Sequence, residues 1–251
     1  MSTPEVSVVM SVYNGAQSLV RTLDSILAQQ AVELELIVID DGCDDGSGRL
    51  LDELAARHPR MRVVHQDNTG LTRALIRGCG MARGAFIARH DAGGDVSMPG
   101  RLARQAAIMR DRPECTLTSC GTRFVGPERE VLFAVAQQPD ELEQGLARLH
   151  VDRIRGPSHH GSTMFRRAAY ERVGGYRAAL RFAQDLDLWL RLSEVGRCIA
   201  EPELLYEAQL TMGSISHRHR PDQIRIAARI ISCAAARRSG GSEAALLADI
   251  P

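Results

Sequence analysis

Three short segments carry residue types that could do chemistry together. Asp40 and Asp41 stand side by side in ELIVIDDGCDDGSG, where an apolar run ends in a Gly-rich turn. His90-Asp91-Ala92-Gly93-Gly94-Asp95 closes the run AFIARHD in the same manner, and Gln184-Asp185 opens the amphipathic segment QDLDLWLRLSEVG. Carboxylates flanking a Gly-rich turn can hold a divalent cation that also takes phosphate oxygens, because Mg²⁺ and Mn²⁺ suit sparse carboxylate sites completed by a substrate. A solvated turn accounts for either Asp-rich segment taken alone. The Asp40–Gly46 stretch superficially resembles a calcium loop, but it follows a strand and lacks the closing bidentate Glu. Gly78-Cys79-Gly80 follows no strand and fails the dinucleotide fingerprint.

The elements that must position these residues alternate through the first third of the chain. VSVVMSVY, ELIVID, MRVVHQ and AFIARHD read as strands, and SLVRTLDSILAQQ, GRLLDELAARH and LTRALIRGCGMA as helices between them. Nearly continuous apolar runs are the mark of parallel strands covered on both faces. In such sheets ligands bind outside the carboxyl ends of the strands, so Tyr13-Asn14-Gly15, Asp40-Asp41-Gly42 and His90-Asp91 should share one crevice. A helix is expected at about 99–110, strands at TLTSCGTRFV and EVLFAVAQ, and a helix at DELEQGLARLH. The helix QDLDLWLRLSEVG, the strand RCIAEPELLYEAQ and a helix at about 222–238 complete the order, with SGGSEAALLADIP as a loosely held tail. Ile224, Ala227, Ala228, Ile231 and Ala235 form an apolar stripe on that last helix, which either packs on the domain or docks on a membrane surface.

The 31 cations, all arginine, balance 31 acids over 251 residues, and no basic stripe of the kind nucleic acid requires is present. No stretch approaches the ~18 apolar residues of a membrane span and the start lacks a leader pattern, so a cytoplasmic protein is expected. The six cysteines contain no Cys-x-x-Cys pair and read as small core residues rather than disulfide or zinc partners. Taken singly, other residues have ordinary explanations: Asp185 as a helix N-terminal acid, Arg73 as a surface cation, His159 and His160 as loop residues, Trp189 as a core anchor, and His217 as part of a basic loop.

In combination, SVVMSVYNG, ELIVIDDGCDDGS, QDNTGLTRALIRG, GAFIARHDAGGDVSMPGRL, HHGSTMFRRAAYERVGGY and QDLDLWLRL resemble the family 2 glycosyltransferases of the GT-A fold, in family order over roughly residues 5–215. The resemblance implies a single three-layer α/β/α domain with a mostly parallel central sheet. Residues 1–215 would form the catalytic domain, with a nucleotide-binding half to about 110 and an acceptor half from about 111, and residues 216–251 a C-terminal helix and tail. It implies an inverting transfer of sugar from a nucleoside-diphosphate donor, UDP as carrier, to a hydroxyl of a glycan or lipid-linked acceptor in bacterial surface polysaccharide synthesis.

Residue by residue, the resemblance puts Ser11, Tyr13 and Asp41 around the nucleotide base and Arg73 near its phosphates. Asp91 matches the Asp-x-Asp that binds ribose and a Mn²⁺ or Mg²⁺ ion, Asp185 the general base, His160 a family histidine, and His217 a late metal or phosphate contact. Two departures stand out. Asp-Ala-Gly-Gly-Asp has one residue too many, leaving Asp95 as the candidate second metal acid, and Gln184 replaces the usual Glu. The first departure motivates a rival, a non-catalytic module that binds nucleotide or a partner protein. Peripheral membrane contact is a further expectation, and nucleic acid is excluded as a partner.

Overall fold

The computed structural model describes residues 3–210 and 220–250. Strands β1 (Val6–Val12), β2 (Leu34–Asp41), β3 (Met61–Gln66) and β4 (Phe86–Arg89) alternate with α1 (Ala16–Leu27), α2 (Ser47–Ala55) and α3 (Leu71–Gly80). Then come β5 (Val96–Ser97), α4 (Arg101–Asp111), β6 (Cys115–Val125), β7 (Val131–Val135), α5 (Glu141–Ala147), a 3₁₀ turn at His160–Ser162, β8 (Thr163–Arg166) and α6 (Arg167–Arg172). Helix α7 (Gln184–Ser193), β9 (Arg197–Gln209), α8 (Arg220–Arg238) and α9 (Ala244–Ala248) finish the chain.

One sheet runs β3-β2-β1-β4-β8-β6-β9-β5, with β7 lying beside β6. The first four strands are parallel to one another, and β6 and β9 form a second parallel pair; β8, β5 and β7 join antiparallel. Because strand side chains alternate between faces, β1 sends Val6, Val8, Met10 and Val12 to one core and Val9 to the other. The first core takes Leu19, Leu23 and Ile26 of α1 and Leu102 and Met109 of α4; the second takes Leu75 of α3, Leu188, Leu190 and Leu192 of α7, and Ile226 and Ile230 of α8. Gly78 has a packing role: a Cβ there would fall 2.6 Å from Val9 Cγ1, so α3 could not lie this close to the sheet. The same alternation puts Asp40 on the side of Leu36 and Val38 and Asp41 on the side of Ile37 and Ile39, so neighbouring acids enter different surroundings.

The expected element order is present throughout. Trp189 is a core residue, buried with the other apolar side chains of α7. All six cysteines are free thiols, five of them buried. Two expectations for the C-terminus fail. The buried stripe of α8 is Ile226, Ile230, Ile231, Cys233 and Ala234, while Ile224, Ala228 and Ala235 of the expected stripe face solvent. The helix packs on the domain, as one of the two sequence readings held, but through another face, because β-branched Ile226 and Ile230 fill the second core. The tail is also not loosely held. Glu243 pairs with Arg177 and Arg237, and Ile250 packs against the second core.

Candidate active site

Asp91 stands two residues past the end of β4, and a buried guanidinium pins it. Arg89 has no exposed surface; it donates from Nη2 to Asp91 Oδ1 at 2.8 Å, from Nη1 to the carbonyls of His90 (3.2 Å) and Val9, and from Nε to His160 Nε2 at 3.4 Å. Burial by itself would raise the Asp91 pKa, but Arg89 foremost and the surrounding histidines outweigh it and hold the carboxyl at about 2. Four residues on, Asp95 accepts from Tyr206 Oη at 2.8 Å and from the Gln209 N–H at 3.0 Å. Among the described residues no arginine pairs with it, and the nearest basic group is His159. Burial pushes its pKa up to about 6, and the Asp91 charge adds to the rise while His159 opposes it.

His159 comes to both acids from a different part of the chain. Its Nδ1 lies 3.9 Å from Asp91 Oδ2 and 3.8 Å from Asp95 Oδ2, and it accepts a hydrogen bond from the Gly161 N–H at 3.1 Å. The ring stacks on Tyr206 with centroids 5.4 Å apart and meets Phe124 edge-on at 6.0 Å. A Cβ at Gly161 would sit 2.0 Å from Tyr206 Oη, so this close approach requires glycine. One oxygen from each Asp and one nitrogen from His159 all lie within 4.8 Å of one another. Two hard carboxylates and an imidazole, one acid with its pKa raised by burial, are a donor set that fits a divalent cation such as Mn²⁺.

The surrounding frame is built from Arg101, at the start of α4. Fully buried, it donates to Ser97 Oγ (2.9 Å), Arg89 O (2.9 Å) and Gly161 O (2.6 Å), and its guanidinium lies 4.7 Å from the Tyr206 ring centre. It thereby joins β4, β5 and the 3₁₀ turn. His160 is structural. It accepts from Tyr176 Oη at 2.8 Å, and burial together with Arg89 lowers its pKa to about 3, which keeps the ring neutral.

Asp185 stands in the first turn of α7, directly after Ala183, whose φ of 53° is a left-handed conformation that alanine adopts at a cost. Strain of this kind persists where the packing around it demands one orientation. Withdrawal from water raises the Asp185 pKa, the Leu186 N–H bonded to Oδ1 at 2.8 Å opposes that, and Asp91 adds to the rise. Gln184 leaves Asp185 without an acidic neighbour in sequence, but Asp91 supplies one through space. The second acid of the segment, Asp187, is fully buried and bound by Arg191 Nε at 3.0 Å and Arg177 Nη1 at 3.1 Å, which anchors α7.

The expected base pocket lies at the ends of adjacent strands: Ser11 is half-buried near the end of β1, Tyr13 is exposed just beyond it, and Asp41 is buried at the end of β2. The Asp41 carboxylate already accepts from Gln66 Nε2 (2.6 Å), the Thr69 N–H (2.9 Å), Thr69 Oγ1 (3.2 Å) and the Gly70 N–H (2.9 Å), so it shapes the loop entering α3. Arg73 is exposed on the first turn of that helix. His217 lies outside the described residues, and among those described the third potential metal ligand is His159. Sequence reasoning also missed Arg89, Arg101 and Tyr206. The one signal for His159 was its place in a His-His pair within a Gly/Pro loop.

The Glycosyl transferase family 2 model matches residues 7–174, two thirds of the chain. The chain belongs to glycosyltransferase family 2. The putative glycosyltransferase EpsE of Bacillus subtilis (strain 168) is 32% identical over 202 residues, covering 78% of this chain and 69% of EpsE. Chondroitin synthase of Pasteurella multocida (strain Pm70) is 26% identical over 195 residues, 77% of this chain and 19% of that much longer protein. In fold the chain resembles S. aureus TarS 1–349 in complex with UDP-GlcNAc, with a TM-score of 0.74 at 16% identity over 98% of this chain and 71% of that one. It also resembles the mannosyltransferase PcManGT of Pyrobaculum calidifontis in complex with GDP-Man and Mn²⁺, with a TM-score of 0.67 at 22% identity over 98% and 79% of the two chains. The protein is a glycosyltransferase with a GT-A-like α/β fold and relatives among polysaccharide synthases. No described helix is long and apolar enough to cross a membrane.

Proposed function

We propose that this family 2 enzyme transfers a sugar, with inversion, from a nucleoside-diphosphate donor of the UDP type to a hydroxyl of a glycan or lipid-linked acceptor. The observation that carries the reading is the convergence of Asp91, Asp95 and His159 beside Asp185. Ser11, Tyr13 and Asp41 line the base end of the crevice, and Arg73 stands toward the phosphates. Asp91, Asp95 and His159 would hold a divalent cation, which would supply positive charge to the departing diphosphate. Arg89 keeps Asp91 ionised for that role across the physiological range. Asp185 accepts the proton of the acceptor hydroxyl as it attacks the anomeric carbon in line, and the nucleoside diphosphate leaves from the opposite side. A carboxylate whose pKa is raised by burial is a stronger base than one in water, and such assistance is worth about 10²–10⁴ in rate.

The non-catalytic rival rested on the extra glycine in Asp-Ala-Gly-Gly-Asp. Asp95 is nonetheless buried beside Asp91 and His159, with Tyr206 and Gln209 fixing its carboxylate, so the insertion costs the cluster no acid. Named ligands of similar folds, UDP-GlcNAc in TarS and GDP-Man with Mn²⁺ in PcManGT, support the donor class. A thermal-shift panel of UDP, GDP, CDP and ADP with and without Mn²⁺ tests the reading, since a ligand confined to the folded state raises the melting temperature by mass action. UDP should give the largest shift and Mn²⁺ should enlarge it. No shift with any nucleotide would remove the proposal.

A further inference from the structure

Strand β7 breaks the pattern of every other strand in the sheet: its sequence VLFAV is wholly apolar and all five residues are exposed. Val131 is 61% exposed, and Leu132 and Phe133 are each 50% exposed. One edge of β7 is bonded to β6; among the described residues no strand pairs with the other. The strand is also held in place. Arg129, at φ 66° in the β6–β7 turn, pairs with the buried Glu207 and donates to Gly94 O at 3.4 Å, and Phe133 stacks on Phe124 with ring centres 4.6 Å apart. An apolar strand edge, formed and unpaired, is an open invitation to another strand.

We propose that β7 is a homodimer interface, in which a second copy of this chain adds its own β7 antiparallel across a two-fold axis at Phe133. About that axis the segment matches itself: Val131 meets Val135, Leu132 meets Ala134, and Phe133 meets Phe133. Charge supports the same pairing. Exposed Glu128 and Glu130 precede the strand, whereas at its other end Arg148 and Arg155 outnumber the one acid, Glu141, in the lining of a cavity of about 480 Å³ that also includes Val135 and Gln137. None of Glu128, Glu130, Arg148 and Arg155 has an ion-pair partner among the described residues. The two-fold brings the acidic end of each strand to the arginine-lined end of its partner and sets Glu130 opposite Ala136 rather than another acid. A bilayer would cover the same side chains, but it would leave the outer N–H and C=O groups of the strand without partners, which a second strand supplies.

Sedimentation velocity and light scattering on the purified chain, from low to high micromolar concentration, test the interface. Wild type should pass reversibly from monomer to dimer, and Phe133→Glu should stay monomeric while still unfolding cooperatively, at a melting temperature lowered by the loss of the Phe124 stack. The paired substitutions Glu128→Arg/Glu130→Arg and Arg148→Glu/Arg155→Glu should each weaken self-association by roughly tenfold or more through like charge. A mixture of these two variants should recover dimer, since each then meets its opposite at both ends of the two-fold. Wild type that stays monomeric throughout would overturn the proposal, as would a mixture that recovers nothing. So would wild type that binds vesicles of anionic phospholipid through Phe133 without dimerising.

Discussion

The turn after β2 holds Asp40, Asp41, Asp44 and Asp45 within six residues, and the turn after β4 holds Asp91 and Asp95 within five. After β2 the chain meets its own acids. Asp40 accepts from the Cys43 N–H and bonds His65, Asp41 takes one donor from Gln66 at the end of β3 and three from the loop entering α3, Asp44 bonds Asn14, and Asp45 accepts from the N–H groups of Ala16 and Ser47. The Asp40 and Asp45 pKa values are accordingly lowered, with bonds from Cys43 and His65 overcoming burial at Asp40 and bonds from Ser47 and Ala16 acting at Asp45. After β4 Asp91 has the Arg89 guanidinium, whereas among the described residues no arginine pairs with Asp95, and burial raises its pKa to about 6 despite the Tyr206 hydroxyl and the Gln209 amide. The first turn uses carboxylates to build a rigid wall. The second stores negative charge that an added cation would relieve.

Breaking the second turn should have the larger effects. Asp95→Asn is expected to abolish stimulation by Mn²⁺ and to lower turnover by roughly 10² or more, through loss of charge stabilisation at the leaving group. In chelator the same change should stabilise the fold. The raised pKa means that folded Asp95 holds a proton the unfolded chain has lost, so stability falls as pH rises from about 4 to about 6. Removing that group should therefore raise the melting temperature at pH 7 by a few degrees. A calorimetric scan that shows Asp95→Asn destabilised without metal would mean the acid is structural, like those after β2.

Next in size is Asp41→Ala, which removes the acceptor of the Thr69 and Gly70 N–H groups; both residues are exposed, so water replaces part of what is lost and the cost should be about 1–2 kcal/mol in all. Denaturant unfolding should show that loss whether or not Mn²⁺ is present, and nucleotide affinity should fall with it. An unchanged midpoint would show the loop to be held by other contacts. The smallest effect belongs to His65, which bridges Asp40 at 2.7 Å and Asp52 at 2.9 Å; those two bonds, in that order, raise its pKa. Its contribution is fully present below the usual pKa of about 6.5 and is lost as pH rises through the raised folded value. His65→Gln, half-exposed, should cost under ~1 kcal/mol at pH 6 and almost nothing at pH 9, as read from urea midpoints at both pH values.

How much of this was legible in the sequence depends on the range of the interaction. Strands and helices follow from local periodicity, and carboxylates at strand ends announce themselves because strand and turn are adjacent in the chain. Arg89 and Arg101 give no signal in the sequence, because nothing nearby in the chain tells that each meets carbonyls from separate elements. Tyr206 lies 115 residues from Asp91, and its hydroxyl is the link between the two acids. The α8 stripe was misplaced for a related reason: two apolar arcs fit a helix carrying Ile224, Ile226, Ile230 and Ile231, and the partner surface chooses between them. The tail was misread because its anchor, Glu243, acts through Arg177 and Arg237.

The direct test of the whole account is Asp185→Asn, measured two ways on one protein preparation. With the donor nucleotide found by thermal shift, calorimetry should give an affinity for the nucleoside diphosphate and Mn²⁺ within about twofold of wild type, because Asp185 does not touch the nucleotide in this scheme. Sugar transfer, followed by release of the nucleoside diphosphate, should fall by roughly 10² or more, the share that general-base assistance supplies. Transfer at the wild-type rate with intact binding would contradict the account and put the base elsewhere in the crevice.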